Sequence, residues 1–208
     1  NVICLKAKQS VKQIYLDHLR AYRTIPNALF QGFPLDSSLY QQDIRHAIEK
    51  TINKHGLREW KAIALTSEMR ESLGIHAITG AKMGIRALEY FHISPGDMSV
   101  TSLAGTTPPL SFMNDGLQVA SGSSSGDGNF MVSDKNVMPR ARFQYKGQTI
   151  EMKLKSNYYQ TIQNELDHIR ANHAFLSEAY HKELRKKALF YWEKWSRKEL
   201  FQIREMNQ

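Results

Sequence analysis

Polar residues whose types and spacing could perform chemistry occur in two parts of the sequence. The first part places an arginine, a glutamate and a serine together, and the second places an aspartate and a glutamine ahead of a run rich in serine and glycine. These residues are Arg70, Glu71, Ser72, Asp115, Gln118 and the run 121–129, which includes Ser123. Charged side chains, an amide and the backbone N–H groups of a turn can hold a phosphate or a carboxylate. The expected site is therefore a polar pocket for a small polar or anionic ligand.

A divalent metal is a second possible ligand for part of this set. His76 lies six residues after Arg70 and could approach Asp115 at the mouth of the same cleft, with Glu71 or Asp127 as further ligands. A zinc-like ion needs three or four N, S or O donors, and several carboxylates suit a harder cation better than zinc. A metal site that uses His76 and Asp115 is therefore the alternative hypothesis.

The sequence disfavours cysteine chemistry and nucleophilic catalysis. Cys4 is the single cysteine, so neither an internal disulfide nor a thiolate zinc site can be built from this chain. The serines at 123–125 lack the strand-to-helix elbow motif of a nucleophile and have no defined His–Asp partner. Whether the chain is an enzyme stays open.

Charge and hydropathy limit the partners. Lys and Arg outnumber Asp and Glu by 28 to 20, a formal charge of +8, but the basic residues are spread along the chain. Their densest cluster, within 185–198, accompanies aromatic residues in a helical pattern, as a solvated helix face would. We therefore expect no nucleic-acid partner. No apolar run approaches the ~20 residues that span a bilayer, so no transmembrane segment is expected.

The first seven residues bear on localisation. The run 1–7 (NVICLKA) starts without Met and could be the end of a trimmed export signal, which predicts an exported or periplasmic protein. Lys6 within the run favours the alternative, a cytoplasmic location.

Hydrophobic periodicity predicts two helices before residue 56. Residues 9–22 and Leu39–His55 carry apolar side chains at helical spacing. The stretch 25–38 between them contains two prolines and a glycine, which indicates an irregular connection. Gly56 is placed to end the second helix.

The next segment is predicted to contain a buried strand and two helices. Trp60–Leu65 (WKAIAL) is short and apolar, as a buried strand is, and Thr66 or Ser67 would cap a helix after it. A further helix is expected to open at Thr79 or Gly80.

The rest of the chain is predicted to form strands followed by helices. The expected elements are a strand at 98–103, a short helix at 110–120, an ordered loop at 121–129, an antiparallel hairpin at 141–154 around Lys146-Gly147, and a helical hairpin that bends near Asn172. This order is neither a βαβ repeat nor all-β. The predicted fold class is α+β, a mixed sheet with helices on one side, plus N-terminal helices and a C-terminal helical hairpin.

Two runs of the sequence resemble a known family. Arg70–Phe91 is similar to the first signature of the FmdE family of formylmethanofuran dehydrogenase components, and Leu110–Phe130 is similar to the second. The matching residues are Gly80, Met83, Gly84, Asp115, Gln118, Gly122, Gly126, Gly128 and Asn129. The resemblance covers roughly residues 60 to 165. It implies an FmdE-like core at 58–157, between an N-terminal helical extension at 1–57 and a C-terminal helical region at 158–208.

The family's metal ligands are substituted in this chain. The histidines and cysteines that the resemblance implies are replaced, and the positions concerned hold Arg70, Ser72, Gly74, Phe112 and Ser123. Of the implied ligands, Asp115 remains, with Arg70 as its expected partner. The expected function is accordingly a binding or accessory protein with a polar pocket and a degenerate metal site. The alternative is a zinc-like metal-binding protein or enzyme accessory with a shifted ligand set.

A homodimer is also expected. The family resemblance implies a dimer. A second reason is an apolar stripe that presents more apolar surface than one exposed helix face should, formed by Leu184, Ala188, Tyr191 and Trp195.

Overall fold

The computed structural model describes residues 42–206 of the chain. The helices are α1 (Gln42–His55), α2 (Leu57–Arg70), α3 (Ile75–Phe91), α4 (Met113–Ser121), α5 (Ser156–Asn172), α6 (Glu178–Lys194) and the short α7 (Arg197–Leu200), with a 3-10 turn at Leu110–Phe112 before α4. The strands are β1 (Ser99–Ser102), β2 (Phe130–Val132), β3 (Arg140–Tyr145), β4 (Gln148–Leu154) and β5 (Phe201–Met206). The helix predicted at 9–22 and the irregular stretch at 25–38 lie outside the described residues.

The strands form one mixed sheet in the order β2-β1-β3-β4-β5. The pair of β1 and β2 is parallel, and the other three pairs are antiparallel. Side chains such as Val100, Phe143 and Ile150 point from one face of the sheet into a core that they share with the helices, and the opposite face is polar. The predicted α+β class, with helices on one side of a mixed sheet, is confirmed.

The hairpin of β3 and β4 has the predicted position and register. Phe143 pairs with Ile150 and Ala141 pairs with Met152, so that both pairs reach the core. The turn residues Lys146 and Gly147 both have positive φ, at 45° and 81°. A two-residue turn with positive φ at both positions matches the twist of the strands, which is why Gly is favoured there.

The predicted strand at Trp60–Leu65 is wrong, because these residues lie inside helix α2. Trp60, Ile63 and Ser67 follow helical spacing and are buried. A short apolar run does not by itself distinguish a buried helix from a buried strand. Thr66 is not a cap either, since its hydroxyl donates to the carbonyl of Ala62 at 2.7 Å within the helix.

Helix α3 begins four residues earlier than the predicted opening at Thr79. Its first residue is Ile75, and the Thr79 hydroxyl donates to the Ile75 carbonyl at 2.9 Å. The glycines of the following turns allow α3 to pack in backbone contact with α4. A Cβ on Gly80 would lie 2.0 Å from the Met113 carbonyl oxygen, and one on Gly84 would lie 2.8 Å from the Ala120 Cβ. These two glycines, which carry part of the family resemblance, are therefore needed for close helix packing.

The aromatic stripe of α6 is covered by the same chain. Trp192, one residue beyond Tyr191, stacks on Trp60 of α2 with ring centroids 4.9 Å apart, and Trp195 contacts Tyr158 of α5 at 5.0 Å. Tyr191 is 3% exposed. The stripe thus contributes to the core of one chain, and the expected dimer retains only the support of the family resemblance.

The C-terminal region contains the predicted helical hairpin and, in addition, a strand that was not predicted. Helix α5 ends at Asn172, where the bend was expected. After α6, the short α7 leads into β5, which pairs along β4 from Leu154↔Phe201 to Thr149↔Met206. Because β5 is six residues long and half of them are exposed, its apolar pattern is weak. None of the helices within residues 42–206 is long and apolar enough to cross a bilayer.

Candidate functional site

The two predicted parts of the polar site meet at an ion pair. Arg70 is the last residue of α2, and Asp115 lies in the first turn of α4. The Arg70 Nη1 donates to the Asp115 Oδ2, and the guanidinium carbon lies 3.6 Å from the centroid of the Phe112 ring. The structure thus places Asp115 with the partner expected for it.

The ion pair of Arg70 and Asp115 is partly buried at a helix N-terminus. The side chains of Arg70 and Asp115 are 15% and 27% exposed, so water screens the pair only in part. The Asp115 carboxylate also lies where a helix N-terminus favours negative charge. The buried Arg70 Nε has no hydrogen-bond partner among the described residues. The ion pair with Asp115 therefore leaves this buried N–H group unused.

Glu71 and Ser72 complete the end of α2. Glu71 takes the left-handed conformation, with φ 53°, and its backbone N–H donates to the Glu68 carbonyl. The Ser72 N–H donates to the Ser67 carbonyl at 3.1 Å. Two such bonds satisfy carbonyls that a helix end leaves free. These residues position Arg70 through the backbone.

Gln118 and Ser123 lie at the other end of α4. The Gln118 carbonyl accepts from the Gly122 N–H at 2.9 Å, which ends the helix. Ser123 is 1% exposed, and its hydroxyl donates to the Met98 carbonyl at 2.8 Å. The Ser123 hydroxyl thus fixes the loop to the residue before β1.

The glycine-rich loop is ordered, as predicted, by bonds within itself. The Ser124 N–H donates to the Asn129 Oδ1 at 2.8 Å, and the Ser124 hydroxyl donates to the Asp127 Oδ2 at 2.7 Å. Asp127, one of the further metal ligands considered above, is engaged in this loop.

His76, the other proposed metal ligand, is buried without a hydrogen bond. It is 3% exposed, and neither ring nitrogen has a partner among the described residues. Burial, together with the nearby positive charge of Arg170, lowers the pKa of His76 to about 4. Within residues 42–206, no group of three or more His, Cys, Asp or Glu is arranged to hold a metal ion. Because Asp115 is occupied by Arg70, this donor set does not fit a zinc-like ion.

We expect His76 to make the fold sensitive to mild acid. Its pKa is lower in the folded state than the usual 6.5, so the unfolded chain binds the proton more readily. The stability that this histidine contributes is therefore present above pH 6.5 and is lost as the pH falls toward 4. Between pH 7 and pH 4, wild type should lose about 3 kcal/mol more than His76→Leu.

Urea unfolding at a series of pH values measures this difference. The exposed His168 supplies the control, since His168→Asn should follow the wild-type curve. Parallel pH profiles for wild type and His76→Leu would contradict the prediction.

A buried ionic cluster is the largest feature that the sequence analysis missed. Glu59 of α2 and Lys82 of α3 are 0% and 1% exposed, and the Lys82 Nζ donates to the Glu59 Oε1 at 2.5 Å. Arg197 approaches from α7, where its Nη1 lies 3.0 Å from the Glu59 Oε2. Burial lowers the pKa of Lys82 to about 8, although Glu59 opposes the shift. A lysine among the small and apolar residues of α3 was the available sequence signal.

Lys82 also caps the C-terminal end of α6, together with Lys54. Lys82 also donates to the carbonyls of Trp192 and Trp195, and Lys54 donates to the carbonyl of Lys194. The His55 Nε2 lies 3.0 Å from the carbonyl of Glu193. Cations favour the negative end of a helix dipole and satisfy its free carbonyls. The cluster therefore fastens α6 to α1, α2 and α3.

A second polar region lies between α5 and α6. An open groove of about 420 Å³ is lined by Thr161, Asn164, Glu165, His168 and Lys187. Lys187 and Glu165 form an ion pair there at 2.8 Å. None of the predicted site residues lines this groove.

Comparisons with known proteins give a distant likeness in fold. No protein-family model matches the chain, and no curated protein does. Among solved structures, the chain is similar to a tungsten formylmethanofuran dehydrogenase FmdE-like protein from Syntrophus aciditrophicus. The two are 15% identical, the match covers 72% of each chain, and the TM-score is 0.44. The likeness concerns the fold alone.

Proposed function

We propose that this chain is a binding or accessory protein in which Arg70 replaces the metal ion of an FmdE-like site. The observation that carries the proposal is the ion pair of Arg70 with Asp115, stacked on Phe112. Arg70 and Phe112 stand at two of the positions where the family resemblance implies metal ligands. A guanidinium beside the remaining carboxylate supplies positive charge without a metal, and its flat face suits an aromatic ring.

The zinc-like alternative has less support. It requires His76 and Asp115 to act together with a further ligand, and the described residues contain no such group. Both ring nitrogens of His76 are buried, and Asp115 is already neutralised by Arg70. Binding of a metal would have to break that ion pair and to rearrange α3.

The ligand that suits this pocket is a small anion such as a carboxylate. An arginine can form a bidentate pair with a carboxylate, and the Arg70 side chain is 15% exposed. We further propose that Ser72 and Gln118 contribute polar groups at the edges of this pocket. We infer that the pocket binds such a ligand without transforming it.

Metal analysis and thermal melts test the proposal together. Protein purified without a histidine tag should contain far less than one equivalent of bound transition metal. Small carboxylates should raise the melting temperature of wild type and should have no effect on Arg70→Gln. Arg86→Gln, which removes a partly exposed cation from α3, is the matched control and should respond as wild type does. Stoichiometric zinc in wild type, or an unchanged melting temperature with every carboxylate, would contradict the proposal.

Asp115→Asn should cost about 1–2 kcal/mol of stability, since it removes a charge-assisted bond to a mostly buried arginine and an anion from a helix N-terminus. Asparagine also caps helices, so a residue that served only as a cap would lose little. Urea unfolding distinguishes the two roles. A loss near zero would assign Asp115 to capping.

We also propose that the chain forms a homodimer, on the family resemblance alone. Light scattering of the full chain should give twice the monomer mass at micromolar concentration. A monomer at every accessible concentration would remove this proposal, and the burial of the α6 stripe within one chain is compatible with that result.

A further inference from the structure

The face of the sheet that points away from the core is rich in cations. The pairing places Thr101, Arg142, Glu151 and Arg204 side by side across β1, β3, β4 and β5. In the neighbouring row, Arg140 pairs with Lys153. Residues that are opposite in register share a face of the sheet. Four cations and one carboxylate therefore lie together on three adjacent strands.

Glu151 holds the arginines of this face in place. Its Oε2 accepts from the Arg142 Nε at 3.1 Å, and its Oε1 lies 3.5 Å from both Arg140 Nη1 and Arg204 Nη2. The Glu151 side chain is 9% exposed, whereas those of Arg142 and Arg204 are 45% and 67% exposed. One carboxylate cannot neutralise three guanidinium groups and a lysine. This face of the sheet therefore has a net positive charge, and its arginines present oriented N–H donors.

The cationic face continues to a free edge of the sheet. Strand β5 is the last in the strand order, and no strand within residues 42–206 pairs with its outer side. An edge strand can accept a further strand through main-chain hydrogen bonds. Because side chains alternate along a strand, every second residue of an added strand would lie beside Gln202 and Arg204. The others would lie on the side of Phe201 and Ile203.

We propose that this cationic face and the β5 edge bind an acidic, extended segment of a partner protein. The segment would carry Asp or Glu at alternate positions on the side of Arg204, with apolar residues between them. Arg142, two strands further from the edge, would add to the positive potential of that side. Arginine suits this role because its planar group pairs bidentately with carboxylates.

Charge disfavours two other occupants. A second copy of the same face would bring like charges together. Residues 1–41 of this chain hold five Lys or Arg against two Asp or Glu, so that segment is itself basic.

The composition of the face disfavours nucleic acid. Single strands bind by stacking bases on aromatic side chains along a positive groove. The strand residues of this face are Ser99, Thr101, Met131, Arg140, Arg142, Gln144, Thr149, Glu151, Lys153, Gln202, Arg204 and Met206. They include no aromatic residue.

Fluorescence anisotropy with two labelled peptides tests the proposal. One peptide alternates glutamate and valine, and the other has the same composition with the glutamates grouped. The full chain should bind the alternating peptide more tightly, because it alone places every carboxylate on one face. Arg204→Gln should weaken this binding about threefold and Arg142→Gln/Arg204→Gln about tenfold. Glu151→Gln should strengthen it, since it removes the negative charge from the face.

Controls separate this surface from others. Lys182→Gln/Lys186→Gln removes two exposed cations from α6 and should bind as wild type does. Thermal melts show whether each variant is folded. If Glu151→Gln is unstable, Arg204→Gln still tests the proposal, because Arg204 is the most exposed of the three arginines on this face.

Three results would overturn the proposal. They are equal binding of both peptides, binding that Arg204→Gln does not change, and preferred binding of an oligothymidylate that Arg204→Gln weakens. The last would assign the face to nucleic acid.

Discussion

Replacing Glu59 with glutamine is expected to lower the free energy of unfolding by about 3–5 kcal/mol, because it leaves the cation of Lys82 buried without its counter-ion. The same change removes one of the two acidic partners of Arg197, whose other partner is Glu89. Urea unfolding at neutral pH, followed by circular dichroism, measures the loss.

Two controls define the origin of this loss. Glu59→Gln/Lys82→Met removes both charges and should recover much of the stability, since neither position of the Glu59–Lys82 pair is then an unpaired buried charge. Glu193→Gln breaks a more exposed pair with Lys194 and should cost less than about 1 kcal/mol. A double variant that is no more stable than Glu59→Gln would show that the unpaired charge of Lys82 is not the cause.

Gly80→Ala is expected to cost about 3 kcal/mol or more, at or beyond the upper end of the usual range for overpacking. The added Cβ would lie 2.0 Å from the Met113 carbonyl oxygen, which belongs to the backbone and cannot rotate away. In an uncrowded helix the same change would stabilise by about 1 kcal/mol, so the direction of the effect is itself informative. Gly116→Ala should behave alike, because its Cβ would lie 2.0 Å from the Ala77 carbonyl oxygen.

Gly126→Ala is the matched control for these helix variants. Gly126 lies in the glycine-rich loop, and a Cβ there would meet only the Ser124 Oγ, at 3.7 Å. We expect its stability to stay within about 0.5 kcal/mol of wild type. Soluble yield and thermal melts of the three variants make the comparison. Wild-type stability of Gly80→Ala would show that α3 and α4 are not in backbone contact.

The parts of the fold that the sequence predicted are those with local determinants. Alternating apolar residues and the Lys146-Gly147 turn are sufficient to define the β3–β4 hairpin, because strand register follows from the turn. The helix at Leu110–Ala120 and the bend near Asn172 are also set by neighbouring residues. In contrast, the identity of Trp60–Leu65 as helix depends on the surfaces that cover it, and β5 depends on the free edge of β4.

The candidate site was predictable only in part. Asp115 and Arg70 were predicted to lie together because two runs of the sequence resemble the signatures of one family. The partners of Glu59 could not be predicted, since Lys82 and Arg197 lie 23 and 138 positions away and share no motif with it. Charged residues in an apolar segment indicate that partners exist, but their identity follows from tertiary packing.

Arg197 and its partner Glu59 are 138 positions apart in the sequence, and this separation affects how the chain folds. The segment around 192–206 supplies the carbonyls that solvate Lys82, a cation for Glu59 and the fifth strand. A chain that had assembled α2 and α3 without this segment would hold two charges in an apolar setting with too few partners. Such a species is costly to populate. Contacts between distant positions also slow folding. We therefore expect residues 192–206 and the rest of the core to form in one cooperative step.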